Sequence, residues 1–170
     1  PPNPAQQWEA RYFSAMCDLL SGNLAAAQTS LDDVKQWQAA HLAKDQSTQN
    51  GASAATSMLQ YRIDSAVADA ATDPAAKKRA ADQAVAVLTD LVKRRPDLQA
   101  IIFQQLMPRL GPDVDLKTLD PLLLQGFIAR ADEQRRRPEN EAVDLPVLQR
   151  GVDAAREMLR RGSAVDPGLR

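Results

Sequence analysis

The sequence has very little of what metal sites, disulfides and membrane spans require. Cys17 and His41 are the only residues of their types among 170, so no internal disulfide can form. A zinc site, which needs several converging His, Cys or carboxylate ligands, is not expected either. No apolar run approaches the roughly 20 residues of a transmembrane helix, and there is no glycine-rich phosphate loop or Gly-x-Ser-x-Gly motif. These absences predict a chain that takes no metal or other cofactor, inserts into no membrane and is not an enzyme.

A Cys17–His41 dyad is the one catalytic arrangement that the composition leaves open, because the two residues fall on consecutive predicted helices. Such a dyad needs both side chains within hydrogen-bond reach of each other. Cys17 lies in an apolar run beside Met16, however, and a free cysteine commonly packs as a small apolar side chain. We therefore expect Cys17 to pack in the core and to be catalytically inert.

The sequence also lacks an excess of charge of either sign. It contains 21 basic and 22 acidic residues, for a formal net charge of -1, so no strong field steers it toward nucleic acid or an anionic membrane. Three basic clusters occur at residues 93–95, 135–137 and 160–161. Each falls in the last turn of a predicted helix, where cations interact favourably with the helix dipole. We expect no nucleic-acid partner.

Helical periodicity is the dominant pattern, and no run alternates with a period of two. Asn3-Pro4, Asp73-Pro74 and Asp120-Pro121 are typical helix starts, in which a capping side chain precedes a proline at the first helical position. The polar stretch 45–53 predicts a loop, followed by a helix over about 54–71. The last predicted helix follows Asp144, ends at Gly162, and has the most regular apolar stripe in the chain, which consists of Leu145, Leu148, Val152, Ala155 and Leu159.

These patterns predict an all-α fold in which about seven helices form antiparallel hairpins that stack as an α-solenoid. Helices with one apolar stripe are not stable alone and must pair. We expect one domain, with hairpins at 1–46, 52–96 and 97–137 and a capping helix at 144–162. Because the chain begins at Pro1 rather than at methionine, we also expect it to be a fragment of a longer protein.

The second and fourth helices carry the residues of a known repeat. Ala84, Leu88, Leu91 and Pro96 show the small–bulky–bulky–proline spacing of its second helix, and Ala27, Leu31 and Val34 repeat most of it, with Ala39 in the place of the proline. In this pattern the chain resembles the tetratricopeptide repeat family, although the matching alanines are 57 residues apart in the sequence and the family repeat is about 34. An irregular helical bundle or an α-solenoid of another kind remains the alternative.

The resemblance implies a function as well as a fold. In tetratricopeptide repeats, the first helices of successive hairpins line a concave surface that binds extended peptides or helices. Transferred to this sequence, the partner-binding residues would be Gln7, Arg11 and Ser14 of the first helix and Gln60 and Arg62 of the third. The expected function is non-catalytic docking of a partner protein or peptide. The alternative is a purely structural or oligomerisation domain, for example one that forms a homodimer.

Most of the aromatic residues lie in the first third of the chain. They are Trp8, Tyr12, Phe13, Trp37 and Tyr61. Aromatic side chains serve both as core packing and as anchors at interfaces, so the sequence leaves both roles open for this group.

Overall fold

The computed structural model describes residues 3–42, 46–110, 114–136 and 142–162, and within these ranges it contains seven α-helices and no strand. The helices are α1 (Pro4–Leu20), α2 (Leu24–His41), α3 (Gln46–Ala70), α4 (Pro74–Arg94), α5 (Gln99–Leu110), α6 (Pro121–Arg135) and α7 (Leu145–Arg160). Single 3₁₀ turns lie at Pro96–Leu98 and Leu116–Thr118. The prediction of an all-α chain of helical hairpins is confirmed.

The helix starts are fixed by the local chemistry that the sequence indicates. The side chains of Asn3, Asp73, Asp120 and Asp144 each accept hydrogen bonds from backbone N–H groups in the first turn of the helix that follows. At α1 the cap is reciprocal, because the Gln6 side chain also accepts a bond from the Asn3 backbone. Each bond satisfies a donor that has no partner within the helix.

The chain divides into two compact units, Pro1–Arg95 and Pro96–Arg170. In the first unit, α1 and α2 form a hairpin, α3 and α4 form another, and α2 also packs against α3. Gly22 lies in the three-residue turn between α1 and α2 with a φ of +75°, a conformation in which glycine is strongly favoured. The core of this unit is made of fully buried small and branched side chains, namely Ala15, Ala27, Leu31, Val34, Leu59 and Ile63.

The second unit is organised around the pairing of α6 with α7. These two helices contact each other along much of their length, whereas the contact of α6 with α5 is slight. The sequence prediction had instead paired α5 with α6 and treated α7 as a cap. The close approach depends on Gly151, where an added Cβ would lie 2.2 Å from the Cβ of Ala131. Only a residue without a side chain fits at this crossing.

Helix α3 begins earlier than the sequence indicates. The stretch predicted as a loop is helical from residue 46 onward, so the second hairpin begins at 46 and not at 52, and Asp45 lies outside the described residues. Gly51 was part of the loop signal, but a glycine inside a helix costs only about 1 kcal/mol relative to alanine. Packing of Ala52 and Ala54, which are both buried, offsets that cost.

Three of the five residues in the regular stripe of α7 are exposed, and the other two, Leu148 and Ala155, are half-buried. The buried residues of α7 are Gly151, Ala154, Glu157 and Met158. Leu145, Val152 and Leu159 are instead 70%, 46% and 68% exposed. The expectation that the most regular apolar stripe marks the buried face is therefore wrong for this helix, because the small residues beside the stripe allow the closer approach to α6.

Candidate interaction surface

Arg11 joins α1 to α2. Its Nη1 donates a hydrogen bond of 2.5 Å to Oδ2 of Asp33, and its guanidinium lies 5.7 Å from the centre of the Trp37 ring. The ion pair is partly exposed, so it contributes little to stability but holds the side chain in one position. Arg11 is thus at the surface, with its charge already matched by a carboxylate.

Gln60 is the centre of a polar network between α2 and α3. Its Nε2 donates to Gln28 at 3.0 Å and to Asp64 at 2.8 Å, and its Oε1 accepts from Lys35 at 2.5 Å. Burial raises the pKa of Asp64 above its usual value, opposed by the Gln60 hydrogen bond and by the charge of Lys35. This network tightens the helix contact and directs Gln60 toward α2.

The five residues predicted to bind a partner do not all share one face. Arg62 is exposed, and residues two positions apart on a helix do not face the same way, so Arg62 and Gln60 lie on different sides of α3. Gln7 is half-buried on α1. Only Arg11 and Ser14 are brought together at one feature, a shallow pocket between α1 and α2.

That pocket has a volume of about 410 Å³, and five of its six lining residues are polar or charged. Its lining consists of Ala10, Arg11, Ser14, Thr29, Ser30 and Asp33. Ser14 is exposed, and Ser30 donates a hydrogen bond of 2.7 Å to Asp18. The pocket offers hydroxyl groups and one balanced ion pair, which suit polar groups of a partner better than a free anion.

An apolar stripe borders the pocket on the outer side of α1. The "α1 stripe" consists of Ala10, Phe13, Cys17 and Leu20, all exposed. Phe13 is 61% exposed and Leu20 79%, and Ala10 also lines the pocket. The spacing of three, four and three residues places the four side chains on one face of the helix, so an apolar strip and a polar pocket form one continuous surface.

Sequence reasoning missed Cys17 and Leu20 as members of this surface. Cys17 was expected to pack but is exposed. The signal that could have revealed the stripe is a surplus of apolar residues on α1. Trp8, Tyr12 and Leu19 already provide one face, which packs against the buried core, so a second set at helical spacing has no place inside a hairpin.

The aromatic residues divide between the core and the surface. Trp37 and Tyr61 are buried. Trp8 and Tyr12 are half-buried and stack with their ring centres 5.1 Å apart. Phe13 alone of the five is largely exposed, with its ring edge-on to Tyr12 at 5.8 Å, so the question left open by the sequence is answered residue by residue.

Among the described residues, no group of His, Cys, Asp and Glu side chains is arranged to hold a metal ion, and no helix is long and apolar enough to cross a membrane. His41 stacks on Trp37 with ring centres 4.3 Å apart, and its Nδ1 lies 3.0 Å from the Trp37 carbonyl oxygen. The imidazole therefore packs against its own helix.

Arginines of two basic clusters are used for internal contacts. Arg94 donates to the hydroxyl groups of Ser53 and Ser57 on α3. Arg161 donates to the backbone oxygens of residues 116, 117 and 119, and also to Glu157. Hydrogen bonds from Arg160 and Arg161 lower the pKa of Glu157 to about 2. These guanidinium groups support the fold locally, as well as opposing the dipole charge at the helix ends.

The second unit holds a larger groove of about 620 Å³ beside α5 and α6. Phe103, Met107 and Gly126 lie in it, and Arg130 and Glu133 are among its polar residues. An added Cβ at Gly126 would lie 3.1 Å from both Phe103 and Met107, so the glycine lets these side chains approach α6. An apolar floor with charged side chains nearby suits an apolar group of a partner.

Compared with models of protein families, with curated proteins and with solved structures, the chain gives no match. The resemblance to tetratricopeptide repeats therefore stays a prediction from the sequence.

Proposed function

We propose that the chain is a non-catalytic helical module that docks a partner protein or peptide on the α1 stripe and the polar pocket beside it. The observation that carries the proposal is the exposure of Phe13 and Leu20, which lie two helical turns apart on the same face of α1. Contiguous apolar patches with a polar border on a protein surface are typical of interaction sites.

The chemistry of the surface favours an amphipathic helix as the partner segment. Apolar anchors at i, i+3 or i+4 and i+7 are the usual way in which one helix recognises another, and the α1 stripe has that spacing. Hydroxyl groups of Ser14 and Ser30 and the Arg11–Asp33 pair at the border would bind polar groups of the partner. The resemblance to a peptide-binding repeat family is consistent with this function.

The proposal is tested by replacing exposed apolar residues of the α1 stripe with glutamate. The double variant Phe13→Glu/Leu20→Glu should lose most partner capture from a lysate of the source cells, about tenfold or more, because interface anchors commonly contribute 2 kcal/mol or more. The matched control is Val67→Glu/Ile101→Glu, which charges two other exposed apolar side chains. Equal capture by the α1 variant and the wild type, or loss of capture in the control alone, would place the binding site elsewhere.

The single exposed cysteine provides a second test without any mutation. Cys17 lies within the α1 stripe, and its thiol is free. Labelling it with a bulky maleimide should block capture, whereas the unlabelled protein should bind normally. Undiminished capture by fully labelled protein with an unchanged helical spectrum would argue against docking on this face.

A second candidate function is that of an oligomerisation domain. It is favoured by the exposure of Leu145, Val152 and Leu159 on α7.

A further inference from the structure

The groove beside α5 and α6 has room for a small organic molecule. Its volume of about 620 Å³ falls within the roughly 300–1,000 Å³ of typical ligand sites. At its floor, Phe103 and Met107 of α5 meet Gly126 of α6. One turn earlier on α5 and one turn later on α6, the lining residues are Ala100 and Ala129. Side chains this small fill little of the space between the two helices, so an apolar group can enter and cover the floor.

A buried amide in the lining of the groove keeps a hydrogen-bond donor in reserve. Gln134 lines the groove and is only 8% exposed. Its Oε1 accepts the backbone N–H of Asp144, which orients the amide. Its Nε2 donates to no residue that the structure describes. Buried polar groups nearly always have a partner, so an acceptor on a bound molecule would complete the hydrogen bonding of this side chain.

Arg130 and Glu133 place one charge of each sign on the α6 wall of the groove. They lie three residues apart, a spacing at which opposite charges on a helix commonly pair. Both are exposed, and neither has an ion pair or hydrogen bond within the described ranges. Asp97, the third charged residue of the lining, is already engaged in a contact of its own. The groove therefore offers separate positions for a negative and a positive group of one molecule.

We propose that the groove binds a zwitterion with an apolar side chain, which is the chemistry of an apolar amino acid and of a short apolar peptide with free ends. The apolar side chain covers Phe103 and Met107, and the flexible, polarisable methionine adapts to different shapes. Arg130 binds the carboxylate through the parallel hydrogen bonds that a guanidinium provides, assisted by Nε2 of Gln134. Glu133 binds the ammonium group. This inference goes beyond the proposed docking function, because it concerns another pair of helices and a small molecule.

NMR titration of the ¹⁵N-labelled protein tests the site with two probes, L-phenylalanine and the dipeptide phenylalanyl-phenylalanine. At least one probe should shift the amide signals of the groove residues in a saturable way, and the tighter of the two identifies a free amino acid or a peptide as the ligand. Glycine, which has the same charges and no apolar side chain, should bind at least about tenfold more weakly, because the floor stays uncovered. If neither probe shifts these signals, or if glycine binds as tightly as the probes, the proposal is overturned.

Blocked forms of phenylalanine test the two charged positions separately. The wild type should prefer phenylalanine about tenfold over phenylalaninamide, which lacks the carboxylate, and over N-acetylphenylalanine, which lacks the ammonium group. Arg130→Gln should abolish only the first preference, and Glu133→Gln only the second. The control Arg62→Gln, which removes an exposed charge in the other unit, should retain both.

Occlusion of the groove provides a test that does not depend on charge. Ala100 lines the groove at an exposed position, so Ala100→Leu should block binding of both probes and leave the helical circular-dichroism spectrum unchanged. Undiminished binding by Ala100→Leu, or preferences that persist in both the Arg130→Gln and Glu133→Gln variants, would overturn the assignment of the ligand to this groove.

Discussion

Helices α4 and α7 have similar sequence patterns, but the apolar stripe is buried in α4 and largely exposed in α7. Each is preceded by a capping aspartate, has a proline in its first turn and carries apolar residues at intervals of three and four. In α4 the residues of that stripe, including Leu88 and Leu91, are buried. In α7 the heptad residues Leu145, Val152 and Leu159 are exposed.

The positions of the small residues account for the difference. In α4, Ala84 is four residues before Leu88, so the small side chain and the leucines share one face, and close approach of α3 buries both. In α7, Gly151 and Ala154 lie beside the leucine stripe rather than within it, and α6 packs on the small residues. The face on which two backbones can come close, and not the face with the most apolar area, decides where a helix packs.

The largest expected effect is a difference in the free energy of unfolding between a variant in the α4 stripe and a variant in the α7 stripe. Leu88→Ala should lower the free energy of unfolding by about 2–5 kcal/mol, because it leaves a cavity in a close-packed core. Leu159→Ala should change it by less than about 0.5 kcal/mol, as expected for an exposed position. Denaturant unfolding followed by circular dichroism measures both. A comparable loss in the two variants would mean that the leucine face of α7 is covered within the monomer.

The next effect tests the small-residue explanation itself. Gly151→Ala should destabilise the protein by about 1–3 kcal/mol through overpacking, because the new Cβ would lie 2.2 Å from Ala131. This outcome opposes the helix propensity of alanine, which is about 1 kcal/mol better than that of glycine. The matched control is Gly51→Ala on α3, where an added Cβ would have nothing within 4 Å. The control should stabilise by about 0.5–1 kcal/mol, so changes of the same sign in the two variants would contradict the close crossing.

The sequence was sufficient to predict the structure wherever the interaction that fixes a helix boundary is local. The start of α1 at Pro4 agrees with the prediction, because the Asn3 cap acts within a few residues. The prediction was wrong at Gly51, where tertiary packing overrides a local propensity, and on α7, where the buried face depends on what α6 presents. No pattern on a single helix contains that information.

The candidate surface was predictable in part for the same reason. Arg11 and Ser14 were recognised as surface residues of α1, and both line the pocket. Gln60 is instead committed to Gln28 and Asp64, which depends on the pairing of α2 with α3. Phe13 was identified as an aromatic of open role. Its exposure follows from the other aromatic residues of α1, which already occupy the side facing the core.

The smallest expected effect concerns how each helix is held to its surroundings by polar contacts. On α7, Glu157 accepts hydrogen bonds from Arg160 and Arg161, and Arg161 in turn holds the backbone of residues 116–119. On α4, Arg94 binds Ser57 and Ser53, and serine hydroxyls carry no charge that pH could change. The contact of α7 should therefore depend on pH and that of α4 should not.

The sign follows from the pKa of Glu157, which is about 2 in the folded protein against an ordinary value of 4.5. A carboxyl group whose pKa is lowered by folding stabilises the folded state above the ordinary value, and this stabilisation is lost as the pH falls from about 4.5 toward 2. Glu157→Gln should therefore be less stable than the wild type at pH 7, and the difference should shrink steadily below pH 4.5. Comparing the two proteins by denaturant unfolding at each pH cancels the carboxyl groups that they share. Ser57→Ala is the control, and its difference from the wild type should stay constant over the same range. A Glu157→Gln difference that is equally constant would mean that the arginines hold the 116–119 segment without help from the charge of Glu157.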